Sequence, residues 1–340
     1  MKEALQQKID SRTKPIGSLG KLESVALQIG MIQQTLSPEL RNPTHIVFAA
    51  DHGLADEGVS PCPKDVTFQM VMNFLSGGAA INVFCHQNGI ALKLVDSGVD
   101  YDFPEGIALL NAKIGRGTKN IMKEPAMSAQ ECKLAMDKGR EIVDAEFQNG
   151  CNVISFGEMG IGNSSIASLL MNKYTGIPIE ECSGSGAGHL GEGLKRKIAI
   201  LKEASMKYDV TDPEEILATY GGFEIAMMCG AMLQAKTNGM VIINDGFISS
   251  SALLAAYHID KSLLDNCIFS HCSGEKGHKI LLDYLGVEAL VDLNMRLGEG
   301  TGATVAYPLI KSAVAFLNEM SSYENAGVSD KGNDQAKKNR

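Results

Sequence analysis

The sequence predicts an α/β fold with a parallel sheet, on three observations. Six short, mostly apolar runs recur along the chain, at residues 44–50, 91–95, 107–113, 152–156, 239–243 and 267–271. Segments with helical spacing of apolar residues separate them, which is the alternation that builds a sheet covered by helices on its faces. Several runs end in Asp-Gly, Gly-Glu or Ser-His, and ligands of open α/β sheets sit at the carboxyl ends of strands.

In chain order, residues 2–40 read as largely helical, with Leu19, Leu22, Val25, Ala26, Ile29 and Ile32 three and four apart. The stretch from Lys14 to Gly20 opens that helix, with Ser18 able to cap it; Lys14 and Arg12 either meet an anion or are solvated basic residues of a loop. Residues 44–50 form a buried strand that ends in Asp51-His52-Gly53, which places Asp51 and His52 for a site. No third ligand lies at a useful spacing, so a metal is not expected there.

A loop through Cys62 leads to a helix over residues 65–74 that carries Gln69 and Asn73, and Ser76-Gly77-Gly78 opens the next helix, over residues 79–87. Residues 128–148 form an amphipathic helix with Cys132, Ala135, Met136, Ile142 and Val143 on its apolar stripe.

The strand at residues 152–156 runs into Gly157-Glu158-Met159-Gly160-Ile161-Gly162-Asn163-Ser164-Ser165. A strand followed by a Gly-spaced turn and a helix start suits a phosphate or carboxylate; capping by Asn163 or Ser164 is the simpler alternative. The spacing is neither that of a Walker loop nor that of a dinucleotide fingerprint. A second Gly-rich loop, residues 183–188, leads to a basic helix with Lys195, Arg196, Lys197 and Lys202; it suits either a phosphate or a linker beside a solvated helix face. Further helices are expected over residues 221–232, 249–257 and 279–285.

Late in the chain, Gly298-Glu299-Gly300 places one carboxylate among glycines in an apolar neighbourhood. Glycine flanks permit positive φ and close approach by another molecule. Such a carboxylate is either exposed on a Gly-rich turn that caps a helix, or buried, in which case its pKa rises toward the range useful to a general base.

Composition bounds what remains. A chain of 340 residues with 44% hydrophobic content holds one large domain or two, and 36 glycines suit many tight turns. Net charge of -9 and only 6% aromatics, with no Trp, argue against nucleic acid or an anionic membrane as partner. The eight cysteines include no CxxC pair and residues 1–10 carry no apolar signal core, so reduced thiols and a cytoplasmic location are expected. Residues 329–340 read as a flexible tail.

Taken together, Lys14-Pro-Ile-Gly-Ser-Leu-Gly-Lys-Leu-Glu23, Ala50-Asp-His-Gly-Leu-Ala-Asp-Glu-Gly58, the segment 157–165, Gly221-Gly-Phe223, Asp245-Gly-Phe247, Ser270-His271 with Glu275-Lys-Gly277, and Arg296-Leu-Gly-Glu-Gly-Thr-Gly302 resemble the nicotinate-nucleotide:dimethylbenzimidazole phosphoribosyltransferase family over roughly residues 5–328. The resemblance implies a Rossmann-like large domain at residues 41–294 and a small helical domain joined from 1–40 and 295–328. It implies transfer of phosphoribose from nicotinate mononucleotide to 5,6-dimethylbenzimidazole in cobamide synthesis, without metal or cofactor, by a homodimer or by a heterodimer with a paralogue.

In such enzymes the Glu of the Arg-Leu-Gly-Glu-Gly motif is the general base, here Glu299. By the same resemblance Gly160, Gly162, Asn163, Ser164 and Lys197 handle phosphate and ribose with Glu158 nearby, Gln69, Leu297 and the region of Cys62 line the base pocket, and Asp245 and Ser273 contact the nucleotide. The family often has Ser or Tyr where Cys62 stands, so a purine or a phenol is the alternative acceptor. A non-catalytic nucleotide-binding protein on this fold is the competing class, and the Glu at position 299 argues against it.

Overall fold

The computed structural model describes residues 1–186, 188 and 190–329, so most of the expected tail lies outside the described residues. Helices α1 (Lys2–Asp10) and α2 (Lys21–Ile32) precede strand β1 (Thr44–Ala50). Then come α3 (Val66–Leu75), α4 (Ala80–Asn88), β2 (Ala91–Gly98), the two-residue β3 (Leu110–Asn111), α5 (Ala129–Gln148) and β4 (Val153–Met159). The middle of the chain is helical, with α6 (Asn163–Thr175), α7 (Ile179–Cys182), α8 (Glu192–Ser205), α9 (Pro213–Tyr220) and α10 (Phe223–Thr237) before β5 (Val241–Asn244). It finishes with α11 (Phe247–Ile259), β6 (Cys267–Phe269), α12 (Lys276–Leu285), α13 (Thr301–Glu319) and α14 (Tyr323–Ala326).

The six strands form one sheet in the order β3-β2-β1-β4-β5-β6, and every pairing is parallel. This is the doubly wound α/β arrangement the sequence predicts. Strand order reverses between β1 and β4, which opens a crevice beyond their carboxyl ends.

Burial on both faces explains why the strands read as continuous apolar runs. Ile46, Phe48, Ile154, Phe156 and Ile242 point into a core shared with α5, α6, α10 and α11. Their neighbours Val47, Val153, Val241 and Ile243 point into a second core with Leu5, Ile9, Val25, Ile29, Tyr307, Ile310 and Leu317. Helices from the two chain ends thus pack together on one face of the sheet.

Several local expectations are corrected. The helix of residues 2–40 that the Lys14–Gly20 stretch opens is α2, which follows the separate α1, and its N-cap is Gly20 (φ 54°) rather than Ser18; the Glu23 side chain accepts from Leu19 N–H at 2.9 Å. Lys14 does not await an anion, because it pairs with buried Glu23 at 2.8 Å. Arg12 donates to the carbonyls of Leu317 and Met320 at the end of α13, where a cation complements the helix dipole.

The apolar stretch Val66–Asn88 has the length and composition of a membrane span. It is folded as α3 and α4, with Ser76-Gly77-Gly78 between them, so neither helix is long enough to cross a bilayer.

Candidate active site

Beyond the carboxyl ends of β1, β4 and β5 lies a cavity of about 320 Å³, within the range of small-molecule sites. Of the residues singled out in the sequence, Glu158, Gly160, Gly162, Asn163, Ser164, Asp245, Ser273, Leu297 and Glu299 line it. Three do not. Lys197 sits behind Ser164, whereas Gln69 is exposed on α3 and Cys62 half-buried in the loop before it. The same loop does reach the cavity through Val59 and Ser60. Asp51 and His52 are buried beneath it, Asp51 accepting from Asp100 N–H at 2.8 Å and His52 facing Glu224 at 2.9 Å.

One end of the cavity is built for an anion. The α6 amino terminus opens at Gly162 (φ 99°), and no side chain caps it, so neither Asn163 nor Ser164 plays the capping role weighed for them. The Asn163 and Ser165 N–H groups donate to the Gly160 and Gly162 carbonyls at 3.1 and 2.9 Å, while the helix dipole points toward the cavity, which Asn163 and Ser164 line. Behind them Lys197 is only 1% exposed, its Nζ 3.3 Å from both Ser164 Oγ and the Gly184 carbonyl. Burial pushes this ammonium down to about 8, against the opposing pull of Glu275. The expected solvated face of this helix is thus carried by Lys195 and Lys202, while Lys197 turns inward.

The other end is carboxylate-rich. Glu158, on β4, has its pKa raised well above the ordinary range, first by burial and then by the charges of Asp245 and Glu224. Asn163 donates to one of its oxygens, and Glu299 N–H donates to the other at 3.3 Å. Asp245, at the end of β5, accepts from Ala303 N–H at 3.0 Å and so ties the first turn of α13 to the sheet. Burial raises the Asp245 pKa, but the neighbouring His271, 3.6 Å away, and the backbone donors outweigh it and leave it below the usual value.

Glu299 lies between these groups, 6% exposed, at a turn where Gly298 (φ 86°), Glu299 (φ 62°) and Gly300 (φ 82°) are all left-handed. Such a conformation costs a residue with a side chain about 1–2 kcal/mol, so the surroundings must hold it. The flanking glycines are required sterically as well: a methyl group at Gly298 would lie 2.5 Å from Glu158 Oε1, and one at Gly300 1.9 Å from the His45 ring. Glu299 is therefore the one side chain the turn admits. Burial raises its pKa, as does Asp245, while the Ile81 N–H, 3.4 Å from Oε2, opposes the rise. Of the two alternatives the sequence left open, the buried carboxylate is the one found.

Sequence reasoning did not single out His45, Glu275, Phe247 or the Val59-Ser60 pair. His45 reads as an ordinary strand residue, and Glu275, Arg296 and His271 stood inside motifs without a role attached. Arrangements of this kind, an anion subsite facing a buried carboxylate with a raised pKa, suit proton removal beside a bound phosphate ester.

Known proteins resemble this chain over nearly its whole length. A family model described as "Phosphoribosyltransferase" matches residues 1–328. A nicotinate-nucleotide–dimethylbenzimidazole phosphoribosyltransferase of Cupriavidus necator is 53% identical over 330 residues, covering 97% of this chain and 95% of that protein. The one of Dechloromonas aromatica is 52% identical over 335 residues, covering 97% and 96%. Among solved structures, CobT from Thermus thermophilus superposes with a TM-score of 0.94 at 38% identity, covering 97% of this chain and 99% of that one. The chain belongs to this phosphoribosyltransferase family.

Proposed function

We propose that the protein transfers the phosphoribosyl group of nicotinate mononucleotide to 5,6-dimethylbenzimidazole, giving α-ribazole 5′-phosphate and nicotinate, the lower-ligand step of cobamide synthesis. The observation that carries this reading is a buried Glu299 with raised pKa facing a cavity whose far end is an uncapped helix terminus backed by Lys197. Relatives about half identical over nearly the whole chain bear the name of that reaction.

The phosphate would lie at the α6 terminus, by Gly160, Gly162, Asn163 and Ser164, with the anomeric carbon toward the carboxylates. One ring nitrogen of the acceptor attacks that carbon, the bond to the pyridinium nitrogen breaks with its electron pair going to nicotinate, and Glu299 takes the proton from the acceptor's other ring nitrogen. Nicotinate leaves from a cationic ring and so needs little acid help. Positive charge developing on the ribose faces Asp245, whose lowered pKa keeps it ionised, and alignment of the two substrates supplies much of the rest. Buried Ser273 and exposed Leu297 complete the enclosure.

We assign residues 1–40 and 295–328 to one small helical unit and 41–294 to the larger one, a division supported by the packing of α1, α2 and α13 on one another.

Incubating the purified protein with nicotinate mononucleotide and either dimethylbenzimidazole or p-cresol tests the reaction directly. The expected product is the benzimidazole riboside phosphate. Exclusive formation of a phenolic glycoside would instead assign the acceptor side of the cavity to phenols.

Lys197 gives a pH prediction. In the free enzyme its ammonium is charged below about 8 and neutral above, so the mononucleotide KM should climb as pH passes upward through that value. Lys197→Ala should raise KM about ten- to a hundredfold at neutral pH, the cost of removing the buried charge that hydrogen-bonds Ser164 behind the phosphate, and abolish the climb. A KM unaffected by the substitution would remove Lys197 from phosphate binding.

A further inference from the structure

We propose that His45, held by Ser155, is a positioning residue for the catalytic base: it fixes the left-handed backbone of Glu299 and thereby aims its carboxylate. The inference rests on the reading of Glu299 as the base and adds to it the device that sets its geometry.

His45 and Ser155 are direct register partners across the parallel β1–β4 pair, at the strands that flank the crevice. The His45 ring is 0% exposed and does not line the cavity, so it cannot touch a substrate. Its Nε2 lies 2.9 Å from the Glu299 carbonyl oxygen, and its Nδ1 lies 2.7 Å from Ser155 Oγ. A carbonyl only accepts, so Nε2 carries the proton and donates; Nδ1 must then accept from the Ser155 hydroxyl. The hydroxyl thus selects the tautomer that can grip the turn, as a second hydrogen bond does for histidines elsewhere. Burial pushes the ring down to about 4, partly offset by the Glu299 carbonyl and Asp245, so it stays neutral across the working range and the tautomer is kept.

The surrounding glycines show that the ring is packed against this turn rather than merely near it. A methyl group at Gly157 would lie 2.7 Å from His45 Nε2 and 2.1 Å from the Glu299 carbonyl oxygen. One at Gly300 would strike His45 Cε1. The ring therefore occupies the space beside Gly300 and anchors the residue between the two glycines.

The test compares His45→Phe, which keeps a ring without a donor, with His45→Gln, whose side-chain amide can reach the same carbonyl. We expect His45→Phe to lower kcat about 30- to 100-fold with the mononucleotide KM within about threefold, and His45→Gln to recover about tenfold of the loss. Combined with Glu299→Gln, His45→Phe should cost less than about twofold more, because it acts through a carboxylate already lost. Equal falls in kcat for the Phe and Gln variants, or multiplicative losses in the double variant, would overturn the proposal and leave His45 a packing residue. Should His45→Phe not fold, Ser155→Ala decides: a kcat about three- to tenfold lower at unchanged KM supports the proposal, and an unchanged kcat sinks it. Glu299→Gln alone separates the two layers, since unchanged turnover there removes the base itself, whereas a dead Glu299→Gln with an active His45→Phe removes only the positioning role.

Discussion

Glu299→Gln is expected to lower kcat by about 10²- to 10⁴-fold, the usual worth of a positioned general base, while nicotinate mononucleotide binds within about threefold of the native affinity. Gln keeps the volume and leaves the backbone hydrogen bonds to His45 and Glu158 in place, so the turn survives. Only the ability to take a proton is removed. Nucleotide affinity depends on the α6 terminus and Lys197, and the substitution removes no hydrogen bond made by either.

The same assignment fixes the sign of the pH profile. A base works deprotonated, and burial raises the pKa of Glu299 above that of a free glutamate. The acidic limb of kcat should therefore bend at a higher pH than an ordinary carboxylate gives, with activity lost as pH falls through it. Single-turnover release of nicotinate, followed with excess acceptor, measures both effects. Turnover close to native in the Gln variant would transfer the proton-accepting role to another group, with Glu158 the neighbouring carboxylate of most strongly raised pKa.

How far such a site can be read from sequence depends on whether its cause is local. Strands β1 and β4 were legible because a strand buried on both faces is largely apolar, and Thr44–Ala50 is buried from end to end with only Thr44 and His45 polar. Glu299 stood out because its flanking glycines answer a local need, three left-handed residues in succession. Helix α9 likewise carries a readable local start, Asp212 followed by Pro213, with Asp212 accepting from the N–H groups of Glu214 and Glu215.

The rest had no local signature. Lys197 shares a helix with Lys195, Arg196 and Lys202, and nothing in that spacing tells which ammonium turns inward beneath Ser164. Arg12 finds its partners, Leu317 and Met320, some three hundred residues away, and Lys14 is claimed by Glu23. His45 is invisible for the same reason: its work is done on a residue 254 positions later, which only the register of β1 against β4 and the entry of α13 bring within reach.

That dependence on close backbone approach makes Gly157→Ala the second large effect expected. Gly157 sits inside β4, where alanine is ordinarily tolerated, and local propensity alone would predict a neutral or slightly stabilising change. Here the added methyl would stand 2.1 Å from the Glu299 carbonyl oxygen and 2.4 Å from its carbonyl carbon, and both are backbone atoms with no rotamer to retreat into. The turn must move away from the sheet, breaking the His45 contact and displacing the carboxylate. Overpacking of a rigid core costs about 1–3 kcal/mol, which a urea midpoint will register, and a shift of the base of about 1 Å costs on the order of 10²-fold in turnover. Both losses should appear together, and the mononucleotide KM should change less than kcat because the α6 terminus lies beyond the displaced turn. A variant as stable and as active as the native protein would show that the 298–300 turn does not press on β4 as described, and the coupling of sheet, turn and base would have to be abandoned.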